Sequence, residues 1–111
     1  MGQEYDRHFE DFRQPSKHEK GGIIKLSGAF LLDHEQEILN LIENENQKAI
    51  AENPEHKVIK VEKANSGIMV EVSEHSLAMH IGKSLSSAFK GKHEYKFRPG
   101  EKFVEVDWQR D

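Results

Sequence analysis

Seven histidines and 20 acidic residues stand in this chain without a single cysteine, so any chemistry must be built from imidazole, carboxylate, amine and hydroxyl groups. Disulfides, thiolate zinc sites and thiol nucleophiles are excluded together. The remaining ligand types do not converge. His75 and His80 are five residues apart, about 140° around a helix axis, and do not face one ion. His34 with Glu37 offers one imidazole and one carboxylate a turn apart, and no further residue closes a set of three or four. Serines at 66, 73, 76, 84, 86 and 87 lack a nucleophile-elbow pattern, and capping or solvated roles account for most of them. The eight glycines fall singly at turns apart from Gly21-Gly22, so no phosphate-cradling loop is present. These residues point to a protein that is not an enzyme, with no cofactor and no metal.

Charge supplies the one constellation that stands out. Met79, His80, Lys83, Ser86, Ser87 and Lys90 lie opposite the apolar stripe of a helix and include no acid. Lys92, His93, Lys96 and Arg98 continue the positive run. The whole chain carries 16 basic against 20 acidic residues, a formal charge of -4, so this stretch is segregated from the average. His80, Lys83, Ser87, Lys90, Lys92, Lys96 and Arg98 are the candidate binding residues. Such point charges and hydroxyls suit a phosphate backbone or an acidic protein; an ordinary solvated helix face is the competing account.

The elements that must position these residues follow from periodicity. A length of 111 residues is the size of one domain with one core. Residues 23–27 read as a strand ended by Gly28, and a helix is expected to start near Asp33, which would cap it. Its apolar stripe is Ile38, Leu39, Leu41, Ile42, Ala49 and Ile50, and Asn53-Pro54 stops it. Residues 58–62 and 68–72 alternate as a hairpin around Asn65-Ser66-Gly67. A second helix opens at Ser73 or Glu74 with Leu77, Ala78, Ile81, Leu85, Ala88 and Phe89 on one side, and Gly91 is placed to end it. Gly82 borders that stripe, which suggests close approach of the helix to the sheet. Residues 94–98 and 102–109 form a second hairpin through Pro99-Gly100. Tyr95, Phe97, Val104, Val106 and Trp108 are expected to close the core. The order predicts an α+β, ferredoxin-like βαββαββ sandwich: an antiparallel sheet with two helices on one face and an extra C-terminal strand.

Residues 1–21 read as a flexible N-terminal arm ahead of a single domain at 22–111. Within the arm, Tyr5, Phe9 and Phe12 fall at i, i+4 and i+7, which places three rings on one side of a short helix. Coincidence in a mobile tail and docking onto the body or a partner both fit that spacing. The arm has no apolar leader-like run, and no stretch reaches membrane-spanning length. A soluble, cytoplasmic protein without a membrane role is expected.

The pattern GGIIKLSGAFLLDHEQEILNLIENENQKA, then SGIMVEVSEHSLAMHIGKSLSSAFKG, then KFVEVDWQRD, resembles a family of small bacterial proteins of uncharacterised role. In that family a zinc ribbon with paired cysteines precedes a βαββαββ body. The body is in turn similar to the segment after the zinc ribbons of the archaeal and eukaryotic adaptor for large-ribosomal-subunit export. The resemblance spans about residues 22 to 110. It is carried by Gly28, Glu37-Ile38, the Gly67 turn, the helix start from His75 to Gly82, and Trp108. The ribbon cysteines are absent here, so nothing the ribbon binds carries over. The resemblance implies a non-enzymatic module associated with RNA or the ribosome. A protein-interaction or self-association module, such as a homodimer, is the alternative.

Overall fold

The computed structural model describes residues 20–64, 67–97, 100 and 102–111. The described residues form β1 (Lys20–Ser27), α1 (Ala29–Asp33), α2 (Glu35–Glu52), β2 (Val58–Ala64), β3 (Gly67–Val72), α3 (His75–Phe89), β4 (Lys92–Phe97) and β5 (Lys102–Gln109). The five strands make one sheet in the order β2-β3-β1-β5-β4. β1 and β5 run parallel, and the other three pairs are antiparallel.

The α+β class stands, but the antiparallel ferredoxin-like sheet does not. The C-terminal strand is no appendage: it inserts beside β1, makes the sheet mixed, and leaves β4 at the edge. Burial explains the insertion. β5 hides Val104, Val106 and Trp108 on one face and Phe103 and Glu105 on the other, and a strand buried on both faces belongs inside a sheet. β4 carries Lys92, Glu94 and Lys96 on alternate positions, a charged pattern that suits an edge.

Ile24, Leu26, Val70, Val72, Val104, Val106 and Trp108 form the sheet side of the main core and meet Leu31, Ile38, Ile42, Leu77, Ile81 and Leu85 from the helices. All three helices therefore share one face of the sheet. On the opposite face Ile23, Met69 and Phe103 form a separate apolar cluster.

Several boundaries move. β1 starts at Lys20, three residues before the expected strand, because its pairing with β5 continues through Gly21 and Gly22. The helix α1 has no counterpart among the expected elements. Asp33 ends it instead of capping the next helix, and the His34 amide donates to the Phe30 carbonyl at 3.0 Å. The chain reaches α1 through Gly28, at φ 110, where a Cβ would lie 2.0 Å from the Arg110 carbonyl oxygen. Only glycine accommodates both the backbone and the close pass of the C-terminus. Glu74 caps α3, accepting from the Ser76 amide at 2.8 Å. Gly82 performs as expected: a Cβ there would lie 2.9 Å from Val106 Cγ1. Two expected core members are misplaced, since Ala88 is exposed and Phe97 is 58% exposed. Phe97 sits on the edge strand, with no outer neighbour among the described residues to cover its ring. The sequence expectations for Arg98, Pro99 and the arm at residues 1–19 lie outside the described residues.

Candidate nucleic-acid interface

The positive run divides once the chain is folded. α3 lies along β4 with its Ser86 hydroxyl 2.6 Å from His93 Nδ1. The Tyr95 hydroxyl donates to the Met79 carbonyl at 3.3 Å. Gly82 leaves room for the Tyr95 ring, whose Cε1 would be 3.4 Å from an added Cβ. These contacts fix which way β4 faces. His93, Tyr95 and Phe97 pair with Trp108, Val106 and Val104 and lie on the helix side, whereas Lys92, Glu94 and Lys96 turn to the opposite face.

Of the seven residues proposed from sequence, Lys83 and Lys90 are exposed on α3 and at its end, the helix that packs along β4. Lys83 shares a helix stripe with Ser86 at i, i+3. Lys90 closes the helix one turn beyond Ser86, its amide donating to the Ser86 carbonyl at 2.9 Å. Its own carbonyl accepts the Trp108 indole N–H at 2.8 Å, which anchors the helix end to the core. Ser87 is exposed further round the helix. His80 turns towards α2, with Nε2 2.7 Å from Glu45 Oε1 at ion-pair distance but without hydrogen-bond alignment. Glu45 is buried there, and Lys48 also approaches it at 3.8 Å. Lys96 is held by Asp107 at 3.0 Å on the opposite face. Arg98 is not among the described residues.

Sequence reasoning misses the rings. His93 and Tyr95 have centroids 5.2 Å apart, and Tyr95 and Phe97 6.5 Å apart, so three rings run in a ladder along an edge strand. The signal is present as aromatic residues at every second position, a spacing that equally suits core closure. Tyr95 is half-buried, and burial raises its hydroxyl above the usual tyrosine pKa.

Electrostatics differ on the other side of β4. There Lys25, Ser27, Lys92, Glu94, Lys96, Glu105, Asp107 and Gln109 line an open depression of about 800 Å³. Lys25 pairs with Glu105 at 3.2 Å. Burial raises the Asp107 carboxyl, neighbouring Glu105 raises it further, and the Lys96 ammonium only partly offsets this. Lys96 itself is raised by its bond to Asp107. Opposite charges are thus paired within the depression, whereas no acid occurs anywhere on α3.

Among the described residues no three His, Asp or Glu side chains converge to hold a metal ion. None of the described helices is long and apolar enough to cross a membrane. No family model, curated protein or solved structure matches the chain.

Proposed function

We propose that this chain is a non-enzymatic cytoplasmic module that binds single-stranded RNA, free or within a ribonucleoprotein such as the ribosome, along β4 and the adjoining flank of α3. The observation that carries this is the His93-Tyr95-Phe97 ladder on an edge strand, with the exposed Lys83 and Lys90 on the helix packed along it. Single-strand binders combine cations that track the backbone with rings on which bases stack, and each stacked base contributes about 1 to 3 kcal/mol. The acid-free helix supplies local positive potential in a protein whose net charge is -4. The resemblance to the body of the ribosomal export adaptor is in keeping with such a partner.

Fluorescence anisotropy with a labelled uridine oligonucleotide at two salt concentrations tests this. The parent protein should bind more weakly at the higher salt. Lys83→Gln with Lys90→Gln should flatten the salt slope by about 1 to 2, since a protein with fewer lysines on the phosphates displaces fewer counterions. Phe97→Ala should weaken binding roughly fivefold or more without changing the slope. Lys96→Gln, on the other face, should bind as the parent does. No binding at low salt, or four superimposable curves, rejects the RNA assignment.

A protein partner or a second copy is the alternative, favoured by β2: no described strand pairs with its outer edge, and Ile59 and Val61 are 48% and 43% exposed. Pairing through that edge would give a concentration-dependent mass in sedimentation that salt does not weaken.

A further inference from the structure

α3 passes into β4 through two residues of positive φ, Lys90 at 64 and Gly91 at 89. Among the described residues Lys90 is the one non-glycine in that region. Its ψ of -145 lies outside even the small left-handed basin that L-residues reach. A side chain there is strained, and such strain persists only where the surroundings over-determine the backbone. They do so at this turn. The Lys90 amide donates to the Ser86 carbonyl at 2.9 Å, the Trp108 indole to the Lys90 carbonyl at 2.8 Å, and the Arg110 guanidinium to the Phe89 carbonyl. All three bonds end on backbone atoms of residues 86, 89 and 90, so they would hold a glycine at position 90 equally well.

The lysine side chain is therefore not explained by the turn, nor by two ordinary alternatives. A cation near a helix C-terminus complements the dipole, yet the last turn of α3 holds no basic residue although Ser87 and Ala88 are exposed there, where a lysine would be unstrained. An internal ion pair is also missing: Lys90 is exposed, and no acid among the described residues pairs with it. We infer that Lys90 is a position-specific phosphate contact of the RNA site, and that glycine at 90 would stabilise the fold while weakening binding. This rests on the RNA reading above and deepens it. Residue 90 joins the end of α3 to the start of the ladder, three residues before His93, so the ammonium extends from a backbone already fixed beside the rings. A fixed backbone lowers the ordering cost of binding. Lysine meets phosphate as a point charge and carries no base information. The negative end of the helix dipole, which would repel a phosphate, is blunted because the Ser86, Phe89 and Lys90 carbonyls already accept from donors.

Thermal unfolding and anisotropy titrations with a labelled uridine oligonucleotide, on the full chain, test the two effects together. Lys90→Gly should raise the melting temperature by about 4 °C, since it relieves the strain. The same variant should bind about fivefold or more weakly at about 50 mM salt, with the salt slope reduced by about 0.7, the value for one single-strand phosphate. Lys90→Gln should lose binding to the same extent while melting near the parent, and Lys90→Arg should match the parent in both. Lys57→Gln removes an equal charge at the start of β2, on the far edge of the sheet, and should bind as the parent does. A parent that binds with a salt slope while Lys90→Gly binds equally well overturns the inference and leaves the RNA reading standing. A Lys90→Gly chain that melts no higher than the parent, or a Lys57→Gln loss as large as that of Lys90→Gln, also overturns it. No binding by the parent at low salt rejects the RNA reading itself, and this contact with it.

Discussion

On the face of the sheet that carries the helices, burial is achieved with uncharged, apolar side chains, from Ile24 and Leu26 through Val70 and Val72 to Val104, Val106 and Trp108. On the other face three apolar side chains sit among charges, with Lys25 bonded to Glu105 and Lys96 to Asp107. The difference follows from composition. A chain that is 35% hydrophobic and 32% charged has too few apolar side chains to fill both sides of a five-stranded sheet. The first face takes most of them, and on the second the three apolar side chains share the surface with charged residues that pair with one another. One face therefore sets stability, and the other is where pH and salt act.

The largest test of that division is Leu85→Ala on the helix-covered side, where the side chain is 0% exposed. It should cost about 2 to 5 kcal/mol in urea unfolding, since the site keeps a cavity. A cost below about 0.5 kcal/mol, the level of a surface substitution, would remove the hydrocarbon core from the comparison.

Met69→Ala sharpens the contrast with the opposite side. A cost of about 2 kcal/mol is expected if the face is sealed, against less than about 0.5 kcal/mol for a side chain open to water. The same unfolding experiment reads both values.

Asp107 gives the smallest effect and the most specific one. Its carboxyl is raised in the folded state, first by burial and then by Glu105. Folding therefore favours the protonated form. That contribution is fully present below the unfolded value, about 3.9, and is lost as the pH rises through the raised folded value. Asp107→Asn should abolish this part of the pH dependence, which lies above the ordinary carboxylate value, while the Leu85 and Met69 costs stay unchanged. A parallel stability profile for parent and variant across that range would show that the charged face does not respond to pH through this group. The buried Asp107 Oδ1 has no hydrogen-bond partner among the described residues, so an amide at this position leaves no ion to desolvate.

Much of the body is legible because its signals are local. The α3 stripe of Leu77, Ala78, Ile81 and Leu85 is buried as its spacing requires, and Asn53, extended before Pro54, ends α2 where expected. Both expected antiparallel pairs form, β2 with β3 and β4 with β5. The short helix α1 is invisible to periodicity because five residues hold too little of it to register. The candidate site is legible only as a set of cations. Positions 92 to 97 alternate between the faces of β4, so Lys96 goes to Asp107 while His93, Tyr95 and Phe97 go to the α3 side.

By itself the sequence determined the two long helices, the approximate strand segments and which side chains share a face within each, because the periods of 3.6 and 2 are properties of the local backbone. The tertiary structure alone decided that β5 lies parallel to β1, that β4 is an edge, that His80 belongs to Glu45, and that three rings line up along β4 on the α3 side. Strand neighbours are chosen by burying whole faces at once, a sum over residues far apart in the chain, and no local period encodes that sum.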